Sequence, residues 1–113
     1  MIDDPIIPSD EAAWYCVRTK TKREHVAARS LAQLDGVQSF CPRLRYRKAT
    51  RRGKIWWVEA MFPGYIFAFF SRLKRERDVV HSHGVMKLLK FGAHIPEIPP
   101  HFVPKPQQET EKP

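Results

Sequence analysis

Five consecutive apolar residues, Ile66-Phe-Ala-Phe-Phe70, constrain the fold of this chain more than any other stretch. The Pro63-Gly64 pair precedes the run and a charged stretch from Arg72 follows it, so it has the length of a strand and not of a buried helix. A strand that is apolar at every position is expected at the centre of a sheet, buried on both faces. With 113 residues, against about 100–150 for a typical domain, the chain has room for one core, and its other elements must assemble around this strand.

Those elements follow from local pattern. Trp14–Arg18 is rich in β formers and predicts a first strand. Thr21-Lys-Arg-Glu24 fits a capping box, and Val26, Ala27, Leu31 and Leu34 follow at helical spacing up to Gly36, so a helix is expected over about 22–35. Val37–Cys41 reads as a second strand closed by Pro42. Arg43, Arg45 and Arg47 then alternate with Leu44 and Tyr46, a period of two with one cationic and one apolar face. Ala49–Gly53 supplies a turn and Ile55–Glu59 returns, which makes a protruding basic β-hairpin. On its return strand Trp56 and Trp57 point to opposite faces, one expected in the core and the other half-exposed, placed either to stack on a base or to pack under the hairpin. A short helix over Leu73–Ser82, with Leu73, Arg77 and Val80 on one face, and a strand over Val85–Phe91 complete the order β-α-β-hairpin-β-α-β. The fold class is α+β: a small antiparallel sheet flanked by helices, ferredoxin-like, with the hairpin projecting from it. Residues 1–12 read as a flexible arm, 13–100 as the folded domain and 101–113 as a Pro-rich tail or linker.

Charge is segregated along the chain. Residues 18–54 hold twelve basic and two acidic side chains, and Arg43–Lys54 alone hold seven basic residues and no acid, in a protein of net charge +8. Such a block is solvated or meets an anion, and clustering at a pI near 9.9 is the footprint of a nucleic-acid surface. The acidic, Pro-broken N-terminus is wrong for a signal peptide, and no apolar run approaches the length of a bilayer span. Two cysteines rule out a disulfide-rich scaffold.

Catalytic patterns are scarce. The glycines at 36, 53, 64, 84 and 92 form no phosphate loop, and no Ser-His-Asp or paired-carboxylate set is suggested. Cys16, Cys41, His81 and His83 match no zinc-finger spacing. Buried structural thiols and a polar helix end account for them, so no enzyme, cofactor or metal is expected.

Taken in order, Trp14-Tyr-Cys-Val-Arg-Thr-Lys20, the helix with Glu24 and Leu31, Cys41-Pro42, the basic hairpin, Phe62-Pro-Gly-Tyr-Ile-Phe67, His83-Gly84-Val85 and Lys90-Phe91-Gly92 resemble the N-terminal (NGN) domain of the NusG family of transcription elongation factors over about residues 13–100. The Lys90-Phe-Gly92 end and the basic hairpin resemble specialised paralogues of the RfaH kind. The resemblance implies a cytoplasmic bacterial protein, nucleoid-associated through RNA polymerase, that is not an enzyme; a monomer is the default expectation. It implies docking on the clamp helices of the β′ subunit, a bridge to the β-subunit gate loop, contact with upstream or non-template DNA, and suppression of pausing or termination. By position, Phe62, Pro63, Tyr65 and Phe67 fall on the clamp-binding surface, with Leu88 and Phe91 bordering it, and Arg75, Glu76 and Arg77 fall near the gate-loop contact. Lys20 and His83 fall where specialised members touch the non-template DNA strand, and Lys22, Arg23 and, along the hairpin, Arg45, Arg47, Arg51 and Arg52 are expected to extend the nucleic-acid surface. The family usually appends a small β-barrel, the KOW domain, and this sequence reaches Pro113 without one. Arg18 stands where the family commonly has an apolar or aromatic residue beside the clamp surface.

The alternative is a stand-alone, basic, ferredoxin-like nucleic-acid-binding module. It predicts an aromatic RNA-binding signature on the sheet, which is absent, and binding that collapses with salt.

Overall fold

The computed structural model describes residues 10–103 and 110–111. The expected N-terminal arm therefore lies outside the described residues up to Ser9, as do most of the tail positions beyond Val103. The chain runs β1 (Ala12–Thr19), α1 (Glu24–Ala32), β2 (Gln38–Phe40), β3 (Arg43–Thr50), β4 (Gly53–Ala60), β5 (Tyr65–Ser71), α2 (Arg72–Val80) and β6 (Val85–Leu88), then a 3-10 turn at Pro100–Phe102 and a short β7 (Thr110–Glu111). The expected α+β architecture is the one observed: an antiparallel sheet in the order β2-β5-β1-β6, with the β3–β4 hairpin as a separate ribbon. Thr110–Glu111, in the segment expected as linker, pairs in parallel with Leu44 and Arg45 on the hairpin.

β5 lies inside the sheet as expected, but only one of its faces is fully buried. Ile66, Ala68 and Phe70 are inaccessible and pack with Tyr15 and Val17 of β1, Ala27 and Leu31 of α1 and Val79 of α2. Tyr65, Phe67 and Phe69, on the opposite face, are half-buried. Both helices cover the same side of the sheet, so five apolar residues in a row serve a core on one side and an open aromatic surface on the other.

Three helix boundaries move for identifiable reasons. α1 starts at Glu24, because Lys22 adopts a left-handed φ of 61° that no helix accommodates. Arg23 takes the N-cap position without a side-chain hydrogen bond, so the capping box expected from Thr21 and Glu24 does not form. α1 ends at Ala32, and the chain unwinds through i→i−3 turns at Gln33 and Leu34 before Gly36, φ 77°, redirects it. α2 begins one residue earlier than expected because the Ser71 hydroxyl caps it, accepting from the Lys74 amide at 3.3 Å. Its buried residue is Val79, and Leu73, expected on the packed face, is exposed. The last strand stops at Leu88 and not at Phe91. The Phe91–His94 segment closes a tight turn on itself by two backbone hydrogen bonds, with Gly92 at a φ of 64°. No helix among the described residues is long and apolar enough to cross a membrane.

Candidate functional site

The open face of the sheet is set by strand register. Directly paired residues share a face, and Cys16 opposes Phe67, Trp14 opposes Phe69, Arg18 opposes Tyr65, and Phe40 of β2 lies on the far side of Phe67. Trp14 and Phe69 stack at a tilt with ring centroids 5.4 Å apart. Arg18 also faces Lys87 of β6, so cations edge the aromatic surface on that side. Trp14, Phe40 and Phe69 thus share the face of Tyr65 and Phe67, although none of the three is singled out as a site residue by the sequence. The alternation Trp14/Cys16/Arg18 against Tyr15/Val17/Thr19 was the available signal.

The Phe62–Tyr65 turn projects beside this face. The Tyr65 amide donates to the Phe62 carbonyl at 2.9 Å, with Pro63 at the second position and Gly64, φ 86°, at the third. That is the combination a type II turn requires. The peptide groups of Gly64 are held on both sides: its amide donates to Glu24 Oε2 at 2.7 Å, and its carbonyl accepts from the Thr19 amide at 2.8 Å. Glu24, 7% exposed, is therefore committed to the turn and not to capping its own helix. Held this way, the turn presents Phe62 and Pro63 to solvent, and Phe62 meets Phe67 edge-on at 6.0 Å.

The clamp-surface residues expected from the resemblance divide as follows. Phe62, Pro63, Tyr65 and Phe67 come together on or beside the open sheet face, and Phe91 is exposed. Leu88 does not join them: it opposes Val17, is 1% exposed and belongs to the core under the helices. The alternation of the strand carries it to the covered side, so it is a packing residue and not a surface one.

A second set of residues gathers around the end of β1. The Lys20 amide donates to the Gly84 carbonyl at 2.9 Å, one residue after the Thr19–Gly64 bond, so the two glycine turns flank β1 where it leaves the sheet. Gly84 is locked: its φ is 85°, and a Cβ there would stand 3.1 Å from the Ala27 amide nitrogen. Lys20, Lys22, Arg23 and His83 are all exposed around these turns, next to the Phe62–Tyr65 turn. Arg75, Glu76 and Arg77 sit elsewhere, on α2 in the helix layer. Arg75 pairs with Asp78 at 3.2 Å and Asp35 at 3.8 Å, and Glu76 accepts from Arg72 at 2.7 Å. The two Arg75 pairs lie at the surface and are exchangeable at little cost, because surface ion pairs contribute about 0–1 kcal/mol.

The hairpin protrudes, with every residue from 47 to 59 exposed. Trp56 and Trp57 do point to opposite faces, but neither enters the core: they are 51% and 40% exposed. Each carries a cation instead. The Arg45 guanidinium lies 4.5 Å and that of Arg47 5.6 Å from the Trp56 centroid, and Lys48 Nζ lies 4.4 Å from that of Trp57. Arg51 and Arg52 form the tip, where Thr50 Oγ1 bonds the Gly53 carbonyl and accepts from the Arg52 amide. On the apolar face, burial and the neighbouring Glu59 carboxylate raise the Tyr46 pKa. At the hairpin base an open hollow of about 270 Å³ is lined by Glu24, His25, Cys41, Arg43, Val58, Glu59 and Ala60.

The cysteines are free thiols on separate strands or strand ends, and β5 runs between them. Burial pushes Cys16 up to about 11 and, with some help from Glu24, raises Cys41. Among the described residues no three His, Cys, Asp or Glu side chains cluster as metal ligands.

Compared with known proteins, residues 12–106 match a family model described as NusG, transcription termination factor nusG. No curated protein matches the chain.

Proposed function

Given that the chain belongs to the NusG family of transcription factors, we propose that it acts with RNA polymerase as an elongation and antitermination factor of the specialised, RfaH-like kind. In this reading the open sheet face docks on the clamp helices of β′ through Phe62, Pro63, Tyr65 and Phe67, with Phe91 at the border. The observation that carries it is the pinned Phe62–Tyr65 turn beside a half-buried aromatic sheet face that neither described helix covers. Exposed aromatics held rigid by backbone hydrogen bonds lose little entropy on binding and make an interface core. Arg75, Glu76 and Arg77 lie in the layer on the other side of the sheet, a placement suited to a domain that bridges a cleft and reaches the gate loop of β with its helix layer. Lys20, Lys22, Arg23 and His83, adjoining the aromatic turn, then meet upstream or non-template DNA, and the complex resists pausing and termination.

The test is retention of core RNA polymerase by wild-type protein and by Tyr65→Ala at high salt. An apolar interface predicts salt-resistant retention, lost in the variant. Failure of the wild type to retain polymerase refutes the reading and leaves a stand-alone nucleic-acid module, whose affinity would fall steeply with salt.

A further inference from the structure

We propose that the cationic face of the β3–β4 hairpin is a stacking platform for single-stranded nucleic acid, with Trp56 as the residue that stacks on a base and Trp57 outside the contact. The proposal deepens, and rests on, the reading of the chain as a factor working beside a transcription bubble, where unpaired strands are at hand.

Register divides the ribbon into two unlike faces. One pairs Arg43 with Ala60, Arg45 with Val58, Arg47 with Trp56 and Ala49 with Lys54: four cations and, within the hairpin itself, no acid, with Glu111 of β7 paired to Arg45 at the base. The other pairs Leu44 with Glu59, Tyr46 with Trp57 and Lys48 with Ile55: one cation and one acid. Arg45 and Arg47 reach over Trp56 from the neighbouring strand at 4.5 and 5.6 Å, which orients the indole while half of it stays in water.

A two-stranded ribbon, joined by the two-residue β7 only at Leu44 and Arg45, buries too little to justify Ile55, Trp56, Trp57 and Val58 in solvent. These residues answer to a partner, and the charge selects it. Residues 43–60 hold seven cations against Glu59, so a second copy of the hairpin is repelled and a polyanion is attracted. An indole flanked by guanidiniums suits a polyanion with flat rings: the guanidiniums meet phosphates and the indole meets a base. In duplexes the base faces are already stacked on one another, so the indole favours the single strand.

The experiment uses the full chain without polymerase and follows the anisotropy of labelled oligothymidylate and oligouridylate across a salt series. Trp56→Ala should weaken binding roughly tenfold, the loss expected of one stacked base, with the salt slope unchanged. Trp56→Tyr keeps a stacking ring and should restore most of that affinity. Arg47→Gln should reduce the slope by about 0.7, one phosphate contact to a single strand. Trp57→Ala should stay within about twofold, since its side chain faces away. The proposal is overturned if Trp56→Ala binds as wild type, if Trp57→Ala loses as much, or if Trp56→Tyr fails to restore affinity. Tighter binding to a duplex of equal length, or to phosphatidylglycerol vesicles in place of the oligonucleotides, overturns it equally. Polymerase retention is read separately: Trp56→Ala keeps it and Tyr65→Ala loses it, so either reading can fail without the other.

Discussion

Removing the Glu24 carboxylate tests whether this side chain holds the Phe62–Tyr65 turn. It accepts the Gly64 amide at 2.7 Å from a position 7% exposed. In Glu24→Ala that amide loses a charged acceptor, worth about 1.5–3 kcal/mol. The helix loses an acid in its first turn, worth about 0.3–1 kcal/mol, and regains a few tenths from alanine's propensity. The sum is a loss of about 2–3 kcal/mol, or a fall in Tm of roughly 10 °C for a domain of this size. Denaturant unfolding should show a lower midpoint at unchanged slope. Glu24→Gln, which keeps a neutral acceptor, should lose about half as much, because bonds to neutral groups are about half as strong. Thr21→Ala is the decisive control. If Thr21 capped α1 it would cost about 1 kcal/mol; as a residue outside the cap it should cost almost nothing. A Glu24→Ala loss below about 0.5 kcal/mol, the range of an ordinary surface substitution, or a Thr21→Ala loss matching it, would refute the assignment.

Other outcomes follow from the same geometry. Gly64→Ala and Gly84→Ala both force alanine into a left-handed φ, costing about 1–2 kcal/mol. Gly84→Ala should cost distinctly more in a thermal melt, because its Cβ meets the backbone of Ala27 at 3.1–3.2 Å while that of Gly64 meets nothing within 4 Å. Leu88→Ala should destabilise by about 2–5 kcal/mol as a core cavity, whereas Phe91→Ala, at 65% exposure, should stay within about 0.5 kcal/mol and weaken polymerase binding alone. The Cys16 thiol rises from 9.0 to about 11 on folding, so the folded state favours its protonated form. Its contribution is intact below pH 9 and is lost as pH climbs toward 11, and native Cys16 should react with a thiol reagent at pH 8 far more slowly than the unfolded chain does.

What the sequence determined by itself was local and periodic. The alternation of Arg43, Arg45 and Arg47 with Leu44 and Tyr46 marked the ribbon, the apolar run at 66–70 marked the interior strand, and the Pro63-Gly64 pair marked the turn. Each was readable because a strand repeats every two residues and because proline and glycine restrict or release φ wherever they stand. The tertiary structure decided the rest. Both faces of β5 are apolar, so only the packing of α1 and α2 settles that Ile66, Ala68 and Phe70 are core while Tyr65 and Phe67 face outward. The same choice buries Leu88, whose composition alone suits either side. Trp56 and Trp57 stayed outside because, among the described residues, no helix or sheet covers them, and a sequence does not announce where the core ends. Glu24 looked like half of a capping box because its local partner was three residues away. Its observed partner is forty residues on, and a contact across that separation is set by how strands and helix meet in space, which no local pattern records.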